Sequence, residues 1–174
     1  MNIKLVKLSK KYTYQLNEML DEWTSFKNDN PYNLTPWSIF KNDYHDFDIY
    51  LNNLEVKNDD TLVPDSTFFC LDLDLNVFVG AVNIRHYLND YLFNYGGHIG
   101  DGIRPSKRNM GYGSKMIALA LDECRKLKTD KVLMVCNKNN IASRKTILKN
   151  GGVLDNEVEL DNDIFERYWI KVNV

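Results

Sequence analysis

The sequence has 174 residues, 44% hydrophobic and 26% charged, with a formal net charge of −2. A chain of this length reads as one domain over residues 1–174, able to bury about 70% of the surface it exposes unfolded and to fold without a disulfide or a metal. The slightly acidic balance argues against a nucleic-acid partner, and no apolar run approaches the roughly 18 residues that cross a membrane.

The N-terminal "MNIKLVKLSKKY" lacks a leader-like apolar core, which predicts a cytoplasmic protein. "IKLVKL" (Ile3 to Leu8) reads as a first strand. Tyr12, Leu16, Met19, Leu20 and Trp23 recur at helical spacing. Thr35 followed by Pro36 predicts a helix start, a cap with proline at the first helical position. Phe47, Tyr50, Leu51 and Leu54 predict another amphipathic helix, and "KNDDTLVPDS" a polar break after it. "TFFCLDL" and "VFVGAVNIRH", separated by Asp74, Leu75 and Asn76, predict a hairpin in which Gly80 marks a bulge or a close backbone approach.

"HIGDGI" predicts a glycine-rich strand, and residues 114–127 a helix. "KVLMVC" is apolar throughout, the pattern of a central strand. "NKNNIASRKTILKNGG" predicts a short helix capped by Asn139 or Asn140 and ended at Gly151. "VLDNEVEL" and "IFERYWIKV" close the chain as a hairpin across Asp161, Asn162 and Asp163. The order β-αα-β-β-β-α-β-α-β-β predicts the α/β (α+β) class, a mixed sheet with helices on both faces.

Cys70, Cys124 and Cys136 lie far apart with no Cys-x-x-Cys pair, and with only three scattered histidines no metal site is outlined. An odd thiol count also fits a reducing compartment. Cys136 ends an apolar strand and Cys124 shares helical spacing with Ala120 and Leu127, so both read as buried structural thiols rather than nucleophiles.

The most informative stretch is "GIRPSKRNMGYGSKM", residues 102–116. Arg104, Lys107 and Arg108 precede Gly111 and Gly113 at the mouth of a helix. Glycines let the backbone present consecutive N–H groups, and a helix N-terminus adds its positive end, so the pattern suits an anion. It is not a nucleotide-triphosphate loop, because Gly113 is followed by Ser114 rather than lysine. It is not a dinucleotide fingerprint either, because the third glycine is missing. From these residues alone, an anion seat and a plain turn flanked by solvated cations both remain open.

Arg108-Asn109-Met110-Gly111-Tyr112-Gly113 resembles the Arg/Gln-x-x-Gly-x-Gly/Ala signature of the GNAT superfamily of N-acetyltransferases. The likeness extends over residues 67–158, where Asn140 and Ser143 match that family's Asn-x-x-Ser/Ala element. "NIRHYLN", "YGGHIG" and "NKNNIAS" are similar to a bacterial branch of predicted acetyltransferases.

The resemblance implies a mostly antiparallel twisted sheet whose fourth and fifth strands splay apart. It implies that acetyl-CoA, as cosubstrate and without a metal, binds along the fourth strand. The amides of Asn109 to Ser114 would hold its pyrophosphate, and Arg108 would shape the loop. Asn140, with Ser143 close by, would hydrogen-bond the pantetheine arm, and an amide between Asp101 and Ile103 would polarise the thioester. The partner implied is a small-molecule or peptide amine, and a homodimer is compatible with it.

Many relatives use a tyrosine seven residues after the helix-start asparagine as general acid; here that position is Ile147. His98 is the first candidate for the base and Asp101 the second, and alternation along a strand sends them to opposite faces. The acceptor lid would include Trp23, Tyr32, Trp37 and Phe40. The runner-up is a non-catalytic acyl-CoA-binding or regulatory module on the same fold.

Overall fold

The computed structural model describes residues 1–26, 33–57 and 61–172. Among these residues are seven strands, β1 (Ile3–Val6), β2 (Asp65–Asp72), β3 (Val77–Arg85), β4 (Ile99–Ile103), β5 (Lys131–Asn137), β6 (Val153–Leu160) and β7 (Asp163–Lys171), and four α-helices. These are α1 (Thr13–Ser25), α2 (Phe47–Asn53), α3 (Tyr112–Lys126) and α4 (Ile141–Lys149). The strands form an antiparallel sheet ordered β1-β2-β3-β4 and a second ordered β5-β7-β6. β4 and β5 share no ladder. The chain is bonded to β5 just before β4 begins, where the His98 amide donates to the Leu133 carbonyl at 2.7 Å.

Two apolar clusters cover the two faces. On one, Met116, Ile117, Ala120 and Cys124 of α3 and Ile147 of α4 pack on Val82, Ile84, Val132 and Met134, so this core bridges both sheets. On the other, Leu16, Met19, Leu20 and Trp23 of α1 and Tyr50 of α2 pack on Phe69, Phe78 and Ala81. The helical spacing seen in the sequence is the buried stripe of α1, where those four residues have no exposed surface. Each such side chain contributes about 1.5–3 kcal/mol by leaving water.

Local chemistry sets the boundaries. The Asp46 carboxylate caps α2 by accepting from the Ile49 amide at 3.2 Å, and the Asn140 side chain caps α4 by accepting from the Ser143 amide at 3.1 Å. Asp161 and Asn162 both turn through positive φ, 53° and 67°, which makes the tight turn joining β6 to β7. The Gly80 expectation holds in both forms. The β2–β3 register slips beside it, and a Cβ there would collide with the Gly102 carbonyl of β4.

The helix expected from Thr35 and Pro36 is a single 3-10 turn, Trp37–Ile39. Further on, the Asp43 carboxylate accepts the His45 amide at 2.9 Å in a separate local turn. "KVLMVC" is central to the combined arrangement but is paired on one edge only, to β7.

Candidate active site

A cavity of about 460 Å³ opens where β4 and β5 part. Its floor is the stretch 107–114 and its far wall is the start of α4. Asp101, Gly102 and Ile103 line one side, and Trp23, Asn33 and Thr35 close the other.

The floor follows from backbone conformation. Asn109 and Gly111 take positive φ, 59° and 85°, which folds the chain back just before α3. Gly111 is the N-cap, and no side chain caps the helix. The amides of Tyr112, Gly113 and Ser114 therefore point out of its first turn without a carbonyl behind them. Lys107, Arg108 and Lys145 add positive charge around them. A Cβ on Gly113 would sit 3.6 Å from Thr146 Oγ1 and 3.7 Å from Ile103 Cγ1, so glycine keeps the gap between α3, α4 and β4 open. These features fit a phosphate-bearing ligand.

Several side chains of the signature point elsewhere. The Tyr112 hydroxyl donates to Asp72 at 2.6 Å inside the core, and no atom of its side chain lines the cavity. Met110 is exposed and does not line the cavity. Arg108 spans it: Nε donates to the Ile103 carbonyl at 2.9 Å, Nη2 donates to Asn33 Oδ1 at 2.7 Å, and the guanidinium lies 5.9 Å from the Trp23 ring. Arg104, grouped with the basic cluster by sequence, is withdrawn from it. It is buried and paired with Glu18, at 2.6 Å, and with Glu22 of α1. Lys145 and Thr146, which sequence reasoning missed, line the cavity three residues beyond Ala142 and Ser143 of the same helix. That i, i+3 spacing was the signal that could have found them.

Along β4, the Arg85 amide donates to the His98 carbonyl at 2.8 Å and the Arg104 amide to the Val79 carbonyl at 3.0 Å. These bonds fix the ladder's alternation, so the amides of Asp101 and Ile103 face the unpaired edge. Burial pushes the Asp101 carboxyl up to about 6, against the pull of the Arg85 guanidinium.

His98, the first sequence candidate for the base, is arranged differently. It is buried, does not line the cavity, and its Nδ1 accepts the Leu133 amide at 2.9 Å. That bond fixes the neutral tautomer with its proton on Nε2, which leaves no lone pair to take a proton. Burial, with Arg85 nearby, holds the imidazole down at about 4.

Cys136 is buried outside the cavity lining, and burial and Glu166 push its thiol up to about 11, the state of a structural thiol. Ile147 is fully buried in the core. No tyrosine lines the cavity among the described residues. Of the expected lid, Trp23 is a wall with Phe40 packed edge-on at 5.3 Å, Trp37 is exposed, and Tyr32 lies outside the described residues. No group of three or more potential metal ligands occurs among the described residues, and no described helix is long and apolar enough to cross a membrane.

An antiparallel sheet parted beside an uncapped helix N-terminus, between two layers of helices, defines an acetyltransferase fold. The same fold is found in a GNAT-family acetyltransferase from Bacillus anthracis, 18% identical, with a TM-score of 0.63 over 98% of this chain and 95% of that one. It recurs in the spermidine/spermine N-acetyltransferase of Vibrio cholerae (15%, TM-score 0.62, 98% and 95%). A ribosomal-protein alpha-N-acetyltransferase in complex with coenzyme A is also similar (13%, TM-score 0.63, 99% and 96%). Among curated proteins none matches the sequence. The family model of the acetyltransferase (GNAT) domain matches residues 13–153, and the chain belongs to that family.

Proposed function

We propose that this protein is an N-acetyltransferase that moves the acetyl group of acetyl-CoA onto an amine by direct attack. The observation that carries the reading is the cavity itself, which joins an uncapped helix N-terminus to the free edge of β4 and to the half-buried carboxyl of Asp101. The amides of residues 112–114 bind the pyrophosphate, with Lys107 and Lys145 nearby. Asn140, already engaged as a cap, and Ser143 form the far wall against the pantetheine arm. Arg108 holds the loop's shape rather than the phosphate, through its bonds to Ile103 and Asn33.

The amine nitrogen forms its bond to the thioester carbon as the C–S bond breaks. The charge that develops on the carbonyl oxygen is met by an amide of the β4 edge, at Asp101 or Ile103. Asp101 takes the proton that the amine loses, directly or through water, because it lines the cavity and its raised pKa suits a base working near neutrality. The thiolate is a fair leaving group and solvent can protonate it, so the buried Ile147 in place of a phenol is tolerated. The acceptor is a small amine or a peptide amine, as in the similar acetyltransferases of spermidine and of ribosomal protein.

The test is thiol release from acetyl-CoA across a panel of amines, with coenzyme A binding followed by calorimetry. Turnover on at least one amine is expected, falling about 10²-fold in Asp101→Asn while coenzyme A affinity holds. Gly113→Glu should abolish binding in a folded protein. Tight binding with no turnover on any amine would instead establish a non-catalytic acyl-CoA-binding module, the reading that the missing phenol favours.

A further inference from the structure

We propose that His98 is a positioning residue that pins the vertex of the β4–β5 cleft, its imidazole Nδ1 standing in for its own backbone carbonyl, which is turned to β3. This deepens the proposed function, since the cleft is where the pantetheine arm would lie.

Each residue of a strand has one carbonyl. The His98 carbonyl is spent on β3, accepting the Arg85 amide at 2.8 Å. Its amide is spent on β5, donating to the Leu133 carbonyl at 2.7 Å. A two-bond link to β5 at this residue then needs an acceptor for the Leu133 amide, and the carbonyl that a regular ladder would use points to β3 instead. The imidazole supplies it at 2.9 Å. Residue 98 is thereby bonded to β3 and β5 at once, using its backbone for the first and both backbone and side chain for the second.

The surroundings are built for that contact. The turn Leu92–Gly96 delivers the chain, and the Gly97 amide donates to the Leu92 carbonyl at 2.6 Å. Gly97 has a φ of 67°, and a Cβ there would lie 2.6 Å from the Leu133 carbonyl, so only glycine lets the backbone press this closely on β5. Trp169 of β7, the ladder partner of Leu133, sets its ring edge-on to the imidazole at 6.4 Å. Beyond this point β4 and β5 share no ladder, and three residues on, about 10 Å along the strand, Asp101 lines the cavity. The place where the link stops decides which amides of β4 are left free.

A base and a pin respond differently to isosteric change. In His98→Asn the amide Oδ1 takes the place of Nδ1, keeping the acceptor and losing all proton chemistry near neutrality. His98→Leu fills the space with no acceptor. Amide hydrogen exchange at Leu133 should be as protected in the Asn variant as in the native protein, and about tenfold or more faster in the Leu variant, the scale of one lost buried hydrogen bond. Coenzyme A affinity and acetyl transfer should follow the same order, Asn close to native and Leu impaired mainly in coenzyme A binding.

An Asn variant as impaired as Leu in exchange and binding would overturn the proposal, and so would native protection at Leu133 in the Leu variant. Should the Leu variant fail to fold, nitrogen NMR of the native protein decides: a protonated Nε2 with an unprotonated Nδ1 supports the pin, and the opposite tautomer overturns it. If the native protein binds no coenzyme A, the functional reading falls, while the tautomer and the Leu133 exchange still judge His98.

Discussion

His98 and Asp101 lie three residues apart, and burial moves them in opposite directions because it disfavours whichever form is charged. The imidazole falls to about 4, so in that region the unfolded chain binds more protons than the folded one, and its contribution to stability rises with pH from 4 to 6.5. The carboxyl climbs to about 6, so the folded chain binds more protons, and its contribution falls as pH rises from 3.8 to 6. The two slopes oppose each other over nearly the same window. Urea unfolding across that window should therefore show Asp101→Asn gaining on the native protein as pH rises. His98→Asn should lose ground over the same range, and parallel curves for native and variants would refute both assignments. None of this was legible in the sequence. His98 looked like a base because it shares a strand with the candidate site, whereas its partner Leu133 is 35 residues away in another sheet. Asp101 ranked second because alternation alone does not say which face is dry.

At the level of elements, the periodic patterns were the legible part. The α1 stripe, the two hairpins and the order of strands and helices follow from local spacing, and the floor of the cavity follows from backbone conformation that glycine announces. Side chains that cross between elements were not legible. Arg104 sits among cations in sequence, but its partners are 82 and 86 residues away on α1. Glu22 also accepts from the Ser106 amide at 2.8 Å and its hydroxyl at 2.9 Å, so one carboxylate ties α1 to the segment that leads into the floor. Its pKa is lowered, the bonds from Arg104 and Ser106 outweighing its partial burial. Removing the arginine strands two carboxylates beside a core. Arg104→Met should cost about 2 kcal/mol or more in urea unfolding at neutral pH. A loss of under about 0.5 kcal/mol would show that the clasp is dispensable.

Taken whole, the molecule is two sheets held together by a helical layer that spans both, with the cavity at their parting. The Arg108 guanidinium is bonded at once to the end of β4 and to Asn33, beside the Trp23 wall. The loop proposed to seat coenzyme A and the wall proposed to meet the amine therefore share a side chain. Two ligands that each stiffen the same group have a common free energy, and reciprocity requires each to raise the other's affinity by the same factor. Calorimetry should find the amine binding several-fold tighter to protein saturated with coenzyme A, and coenzyme A gaining equally from saturation with amine. Arg108→Lys keeps the charge but cannot make both bonds from one rigid plane. In that variant each ligand should bind as though the other were absent, and a native-sized coupling would exclude Arg108 as its carrier.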